Sequence, residues 1–196
     1  HSFLRSAYSN SSQLVIYGVI TDLAGFMTFI SSPILGELSD IYGRKKILAL
    51  GVAILALSQF LFGIGVQMSS LAILFISRAL GGLAGANFNV AQASIADITE
   101  PKDRARNFGM IGAAFGIGFI VGPVLGGSIS AWTNSASIPF FVAGLLGVIN
   151  LFSVTFFLKE THHVSIKKQH SITFFKAVHN IKQAFNDKEA APVYIA

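Results

Sequence analysis

A short run of charge between two long apolar stretches constrains the fold of this chain most. It spans Gly36–Ile47 and reads GELSDIYGRKKI. The flanking stretches are long enough to cross a bilayer, where the backbone must satisfy its hydrogen bonds within a helix or a closed barrel. A turn this short joins two spanning helices only if both end at the same membrane face. Its basic residues predict that this face is cytoplasmic.

Five apolar stretches are long enough to span a membrane as helices, which takes about 20 residues. The connections Gln67–Ser70 and Thr133–Ser137 carry no charge, so we place them outside, opposite the basic connections. The predicted fold class is an all-α, polytopic membrane helix bundle. Its spans are predicted near residues 14–39, 46–67, 70–97, 106–132 and 138–158.

Composition excludes several other classes of protein. Apolar residues make up 53% of the chain and charged residues 12%, a profile of polytopic membrane proteins. Lys and Arg cluster at the span ends and in the tail, which argues against a nucleic-acid partner. The absence of cysteine excludes disulfides and thiolate sites. The sequence has no phosphate-binding glycine loop followed by lysine and no catalytic constellation, so we predict no enzyme activity and no cofactor.

Several segments, in family order, resemble the major facilitator superfamily. The Gly36–Ile47 turn is similar to its loop between helices two and three, and Arg78–Ala86 to its fourth-helix arginine motif. Gly116–Gly127 is similar to the fifth-helix motif of its drug/proton antiporters. Ser94–Gly109 resembles the tetracycline-resistance and related multidrug exporters.

The resemblance implies a domain organisation. It identifies residues 14–158 as helices 2–6 of the family, five of the six helices in the N-terminal half of a twelve-helix transporter. Residues 1–13 are then an outer loop after a missing first helix, and the chain is a fragment. Residues 159–191 would form a cytoplasmic linker with an amphipathic helix, because apolar residues recur there at helical spacing. Residues 192–196 would begin the next span.

The same resemblance implies secondary active export of small, drug-like compounds by proton antiport through alternating access. The expected partners are the lipid bilayer, a small-molecule substrate, protons and the C-terminal half of the transporter, in the inner (plasma) membrane. Two alternatives stay open at this point. One is a metabolite or sugar transporter of the same superfamily, and the other is a non-transporting membrane sensor with this fold.

The resemblance assigns gating roles at the cytoplasmic face. Asp40 would meet a helix N-terminus in the second half, while Arg44 would pair with Asp97. The position after Asp40 is usually basic in the family but is Ile41 here, and Glu37 adds an acid, so the gate would be weaker or differently tuned. The predicted gating residues of this turn and its partner are Gly36, Asp40, Gly43, Arg44 and Asp97.

Two charged residues stand out because they lie well inside predicted spans, away from the cytoplasmic ends, where charge is costly. Asp22 and Arg78 each lie about eight residues from the outer end of a span, and so at a similar depth. They are predicted to form a proton-coupling pair, in which Arg78 tunes the proton affinity of a carboxylate. A structural ion pair, or a position of Asp22 near the headgroups, is the alternative.

Polar and glycine positions suggest further sites. Arg78, Gly82, Gly85, Asn89, Gln92 and Ala96 form one helical stripe, so we expect Asn89 and Gln92 to line a substrate cavity or to bond between helices. Asn87 lies off this stripe and is expected to pack. We expect the tail histidines to be solvated residues, with a zinc site as the alternative. The fifth-helix motif residues, expected to pack against the second half and to bend at the proline, are Gly118, Gly122, Pro123, Gly126 and Gly127.

Overall fold

The chain is mostly helical in the part that the structure describes. The computed structural model describes residues 10–161, and within this range it contains no strand. The predicted all-α class is confirmed. The helices in chain order are α1 (Asn10–Tyr42), α2 (Arg44–Gln67), α3 (Leu71–Gly85), α4 (Asn87–Ile98), a 3-10 turn (Pro101–Asp103), α5 (Arg104–Thr133) and α6 (Ile138–Phe157).

Five helical segments are long and apolar enough to cross a membrane, which confirms the predicted number of spans and makes this a multi-pass membrane protein. α1 begins at Asn10 and ends at Tyr42, so it extends past both predicted ends of the first span. Hydropathy identifies only the apolar part of a helix, whereas the hydrogen bonding of the helix continues through polar residues at a membrane surface. The predicted linker after Thr161, its amphipathic helix and residues 192–196 lie outside the described residues, as do residues 1–9.

The connections between successive spans are short. A single residue, Gly43, separates α1 from α2, and its φ of 99° is a backbone conformation that side chains with a Cβ rarely adopt. Ser69 and Asn134 have φ values of 53° and 50° in the two uncharged connections. These residues turn the chain sharply, so neighbouring spans run in opposite directions.

The third predicted span is not one regular helix. A turn at Ala86 divides it into α3 and α4, while Leu71–Ile98 as a whole is long and apolar enough to cross a membrane, as predicted. Just after the break, Nδ2 of Asn87 donates to the carbonyl oxygen of Leu48 on α2 at 3.0 Å. A Cβ on Gly51 would lie 2.5 Å from Cγ of Asn87, so the two helices touch here. The expected packing role of Asn87 is confirmed.

The described bundle is centred on α2. This helix packs against α3 on one side and α6 on the other, and α1 packs against α3. Small residues allow the close approach: a Cβ on Gly144 of α6 would lie 3.0 Å from the ring of Phe60, and one on Gly147 would lie 2.9 Å from Cβ of Ala56. By contrast, no residue of α5 is buried by the rest of the described chain. The core therefore lies between α1, α2, α3, α4 and α6, with Val90 of α4 among its most buried side chains.

Candidate functional site

Three charged side chains from three helix ends meet at one end of the bundle. We call Asp40, Arg44 and Asp97 the charged cluster. Asp40 lies in the last turn of α1, Arg44 is the first residue of α2, and Asp97 lies in the last turn of α4. Nη1 of Arg44 is 2.6 Å from Oδ1 of Asp40, and Nε of Arg44 is 3.1 Å from Oδ2 of Asp97. The predicted contact between Arg44 and Asp97 is confirmed.

The members of the charged cluster differ in burial. The side chain of Arg44 is 11% exposed and that of Asp97 is 27% exposed, whereas that of Asp40 is 57% exposed. A nearly buried guanidinium is stable only if its charge and its N–H groups are matched. Asp97 meets this need from inside the bundle. Asp40 contributes one oxygen and keeps much of its carboxylate open to a further contact.

Ser39 completes the environment of the guanidinium. Nη1 of Arg44 donates to Oγ of Ser39 at 2.5 Å, and this hydroxyl donates to the carbonyl oxygen of Gly36 at 2.7 Å. Ser39 is fully buried. Sequence reasoning placed Ser39 within the turn motif but gave it no role. At Gly36, a Cβ would meet no atom within 4 Å among the described residues, so no contact there requires glycine.

The N-terminus of α2 is capped by an acid that is distant in sequence and follows α6. Oε1 of Glu160, three residues after α6, accepts from the backbone N–H of Arg44 at 2.8 Å. The N–H of Lys45 lies 3.3 and 3.4 Å from the two carboxylate oxygens. The first amides of a helix lack partners within the helix and attract negative charge. Sequence reasoning missed this contact, although an acid follows the last span at the same predicted face.

Gly43 is required at this capped turn for a second reason besides its φ. A Cβ on Gly43 would lie 2.5 Å from Oε2 of Glu160. The absence of a side chain therefore lets the carboxylate reach the first amides of α2. The predicted importance of Gly43 has a physical basis in this close approach.

Arg78 lies at a separate cavity of about 220 Å³ between α1, α2 and α3. Its Cζ is 4.2 Å from the centroid of the Phe62 ring, a cation–π arrangement. Its buried Nε has no hydrogen-bond partner among residues 10–161. The polar residues that line the cavity with it are Thr28, Ser58, Gln59 and Ser77. The cavity therefore offers an unmatched donor beside several hydroxyl groups.

The structure does not pair Asp22 with Arg78. A Cβ on Gly82 would lie 2.5 Å from the carbonyl oxygen of Ala24, so that side of α1 faces the third span. Asp22 is rotated from Ala24 by about 200° at 3.6 residues per turn. It is exposed, and it makes no ion pair with another described residue. The two residues lie at a similar depth, but on faces that do not meet.

The polar stripe on the third span serves mainly as a contact with α1. A Cβ on Gly85 would lie 2.5 Å from Oγ1 of Thr28, so the two helices touch there. Nδ2 of Asn89 donates to Oγ of Ser32, also on α1. Asn89 and Gln92 lie outside the lining of the cavity at Arg78. Asn89 therefore forms a hydrogen bond between helices. Arg78 and Gly82, at one end of the stripe, line the cavity, whereas Asn89, towards the other end, contacts α1.

The glycines of α5 face no neighbour within the described chain. A Cβ at Gly118, Gly122, Gly126 or Gly127 would meet no atom within 4 Å, and the same holds for Gly112 and Gly116. The helix continues through Pro123. Large apolar side chains on this helix are open as well, with Phe119 74% exposed. In the described bundle these small residues are therefore uncovered.

No three side chains of His, Asp or Glu converge as a metal site anywhere in residues 10–161. The tail histidines, His162, His163, His170 and His179, lie outside the described residues.

Comparison with known families gives one broad match. The family description "Major Facilitator Superfamily" matches residues 3–195. The match covers the spans, the charged cluster and the cavity at Arg78 together.

Individual relatives carry names of resistance proteins. The chain is 39% identical over 159 residues to the class C tetracycline resistance protein of Escherichia coli, which covers 81% of this chain and 39% of that protein. It is 35% identical over 173 residues to multidrug resistance protein 2 of Bacillus subtilis, covering 88% of this chain and 41% of that protein. The chain thus spans about two fifths of the length of these relatives.

A solved structure shows the same arrangement of helices. The crystal structure of the human organic anion transporter MFSD10 matches with a TM-score of 0.68 at 27% sequence identity. The match covers 83% of this chain and 37% of that chain.

Proposed function

The chain belongs to the Major Facilitator Superfamily, and from this membership we propose that it forms most of the N-terminal half of a secondary transporter. In our proposal the complete protein exports small, mostly hydrophobic organic compounds in exchange for protons. It would work by alternating access, with two halves rocking around a site near the middle of the membrane. The plasma membrane of the cell is the proposed location.

The observation that carries this proposal is the charged cluster. Its three residues come from the ends of α1, α2 and α4, and Asp97 is distant in sequence from Asp40 and Arg44. One half-open carboxylate, that of Asp40, is left for a contact beyond this bundle. We propose that it meets a helix N-terminus of the second half and so closes the cytoplasmic side. We call this closure, formed by the charged cluster and the second half, the cytoplasmic gate.

The uncovered glycines of α5 support the same arrangement. A helix with no side chain at four or more positions along one segment can approach another helix closely. Nothing in the described bundle uses this surface, although α5 is as apolar as the other spans. We propose that the second half packs against it, with Gly118, Gly122, Gly126 and Gly127 at the contact.

The cavity at Arg78 is the proposed coupling site. An unmatched guanidinium Nε within a membrane span favours an acceptor or an acid that the described residues do not supply. We propose that a substrate and a protonatable group compete for this cation. Binding of either one would then weaken the binding of the other. Asp22 faces away from the cavity, so we propose that it meets another part of the complete transporter. Asn89 and Gln92 would lie nearer the cytoplasmic end of the substrate path.

The substrate class rests on the relatives. Proteins named for resistance to tetracycline and to multiple drugs match four fifths or more of this chain. Another match is named for quinolone resistance in Staphylococcus aureus, at 34% identity over 67% of this chain. Their names favour export of drug-like compounds over import of a sugar or metabolite, and over a sensor that transports nothing.

The proposal is tested with the complete transporter that contains this chain. Cells that lack their main drug exporters are transformed with it, and the accumulation of tetracycline, a quinolone and ethidium is measured. We expect lower accumulation, which a protonophore abolishes. Purified protein in liposomes should then show proton flux that depends on substrate. Proton-coupled sugar uptake without drug efflux would favour the metabolite alternative, and the absence of any flux would favour the sensor.

A further inference from the structure

The carboxylate of Glu160 bonds both to the start of α2 and to the backbone next to it. Its Oε1 accepts from the N–H of Arg44 at 2.8 Å and from the N–H of Thr161 at 3.2 Å. The first contact joins residues 116 positions apart, and the second fixes the carboxylate against its own backbone. The segment after α6 is therefore bonded directly to the start of α2.

This bond acts on the residue at the centre of the charged cluster. Arg44 offers its backbone N–H to Glu160, while its side chain binds Asp40 and Asp97. The only residue between α1 and α2 is Gly43, with φ of 99°, and a glycine, which lacks a Cβ, has little intrinsic preference for one backbone conformation. Without the carboxylate, the first amides of α2 would have no partner from the bundle. The orientation of the Arg44 side chain would then be less well fixed.

We propose that Glu160 is a positioning residue of the cytoplasmic gate: it caps α2 and so holds Arg44 where it can bind Asp40 and Asp97 together. This inference rests on the proposed gate. Closing the cytoplasmic side requires an ordered turn, because Asp40 must be presented to the second half in one orientation. Loosening the turn therefore disfavours the closed state without removing any charge of the cluster itself. Since α6 packs along α2, the cap also makes the gate sensitive to movement of α6.

The test measures how often the cytoplasmic side opens. The reporter is Gln92→Cys in the complete transporter, with any cysteines outside this chain replaced; the chain itself has none. The rate of labelling by a membrane-impermeant maleimide from the cytoplasmic side is compared among variants in inside-out vesicles. Losing a typical helix cap changes a two-state population about fivefold, so we expect Glu160→Ala to raise the labelling rate by about that factor. Glu160→Gln keeps one acceptor oxygen and should give a smaller rise.

Two comparisons separate positioning from general damage. Glu100 lies at the same end of the bundle, pairs with Lys102 at 2.8 Å and does not touch the turn, so Glu100→Ala should leave the labelling rate unchanged. Asp97→Asn breaks the cluster directly. If Glu160 acts through Arg44, the variant with both Glu160→Ala and Asp97→Asn should label no faster than the faster single variant, because residues of one network do not add.

The outcomes distinguish the inference from the gate on which it rests. If Asp97→Asn raises labelling while Glu160→Ala does not, the inference is wrong and the gate stands. The inference would also be wrong if the fold increase in labelling rate of the double variant equalled the product of the two single increases. Glu160 would then act independently of the cluster. If neither substitution changes labelling, the gate itself is wrong and the inference is lost with it.

A second measurement follows the cap without using transport or labelling. Hydrogen–deuterium exchange of the peptide at the start of α2 reports the amides of Arg44 and Lys45. We expect faster exchange there in Glu160→Ala than in the parent, with Glu100→Ala unchanged. Equal exchange in all three proteins would show that Glu160 does not cap α2, and would overturn the inference whatever the labelling shows.

Discussion

Replacing Asp97 with Asn tests the charged cluster most directly. The substitution keeps the shape of the side chain and one acceptor oxygen, but it removes the negative charge that faces Nε of Arg44 at 3.1 Å. The Arg44 side chain is 11% exposed and that of Asp97 is 27% exposed, so solvent screens this pair only in part. The substitution should therefore have a larger effect than the loss of an exposed pair.

The size of the effect of Asp97→Asn on the closed state follows from the contacts of Arg44. A hydrogen bond to a charged group contributes about 1.5 to 3 kcal/mol, and the retained amide oxygen recovers part of this. Asp40 stays bonded to the same guanidinium, so the charge of Arg44 is not left bare. We therefore expect Asp97→Asn to weaken the closed state by about 1 to 2 kcal/mol, which corresponds to a change of about 5- to 30-fold in the ratio of closed to open protein.

The assay combines labelling and transport in the complete protein. Cytoplasmic labelling of Gln92→Cys should rise, and drug export should fall at equal expression. Glu100→Gln is the matched control, since it makes the same acid-to-amide change in a pair whose side chains are 70% and 74% exposed. Exposed pairs contribute about 0 to 1 kcal/mol, so labelling should change little in the control. Parental labelling and export in Asp97→Asn would refute a gating role and leave the cluster as a signal for topology.

Four further predictions concern single residues. Gly43→Ala should lower the stability of the bundle by about 1 to 2 kcal/mol, because φ is 99° and the new Cβ would lie 2.5 Å from Oε2 of Glu160; a thermal unfolding curve in detergent no lower than the parent's would contradict this. Gly82→Leu should destabilise the bundle by about 1 to 3 kcal/mol through overpacking against α1. Gly122→Leu should leave unfolding of the isolated chain unchanged and reduce export by the complete protein, and export at the parental level would argue against a contact with the second half. Arg78→Lys should reduce drug efflux and Arg78→Leu should reduce it further, because lysine lacks the planar fork of donors; unchanged efflux across pH in the leucine variant would limit Arg78 to packing on Phe62.

The spans and the charged cluster could be predicted because local composition determines both. A run of about 20 apolar residues has few alternatives to a spanning helix in lipid. The ends of such helices collect the charges, so Arg44 and Asp97 had to lie near one membrane surface. Their pairing then needed only the resemblance to a known turn, and the structure joins them at 3.1 Å.

The features that the sequence did not predict depend on the rotation of each helix about its axis and on tertiary contacts. Asp22 and Arg78 were matched by depth, which the number of residues from a span end gives directly. Whether two side chains meet also depends on which face of each helix is turned inward, and packing of Ala24 against Gly82 turns Asp22 away. The break at Ala86 also leaves no mark in hydropathy.

The contact of Glu160 shows a different limit of the sequence. A single acid after the last span resembles an ordinary exit from the membrane. Its partners are backbone N–H groups, which every residue except proline carries, so no pattern of side chains identifies them. Only the folded arrangement brings the end of α6 to the start of α2, at 2.8 Å.

The arrangement around Arg44 explains why one residue can coordinate several helices. Its Nε binds the end of α4, its Nη1 binds the last turn of α1, and its backbone N–H binds the segment after α6. Because the guanidinium is a rigid planar fork, the two side-chain contacts fix its orientation as well as its position. A movement of any one of these helix ends relative to α2 must therefore strain or break a bond to Arg44. A residue with such contacts favours one arrangement of these helix ends over all others, which is the property that the proposed gate between two states requires.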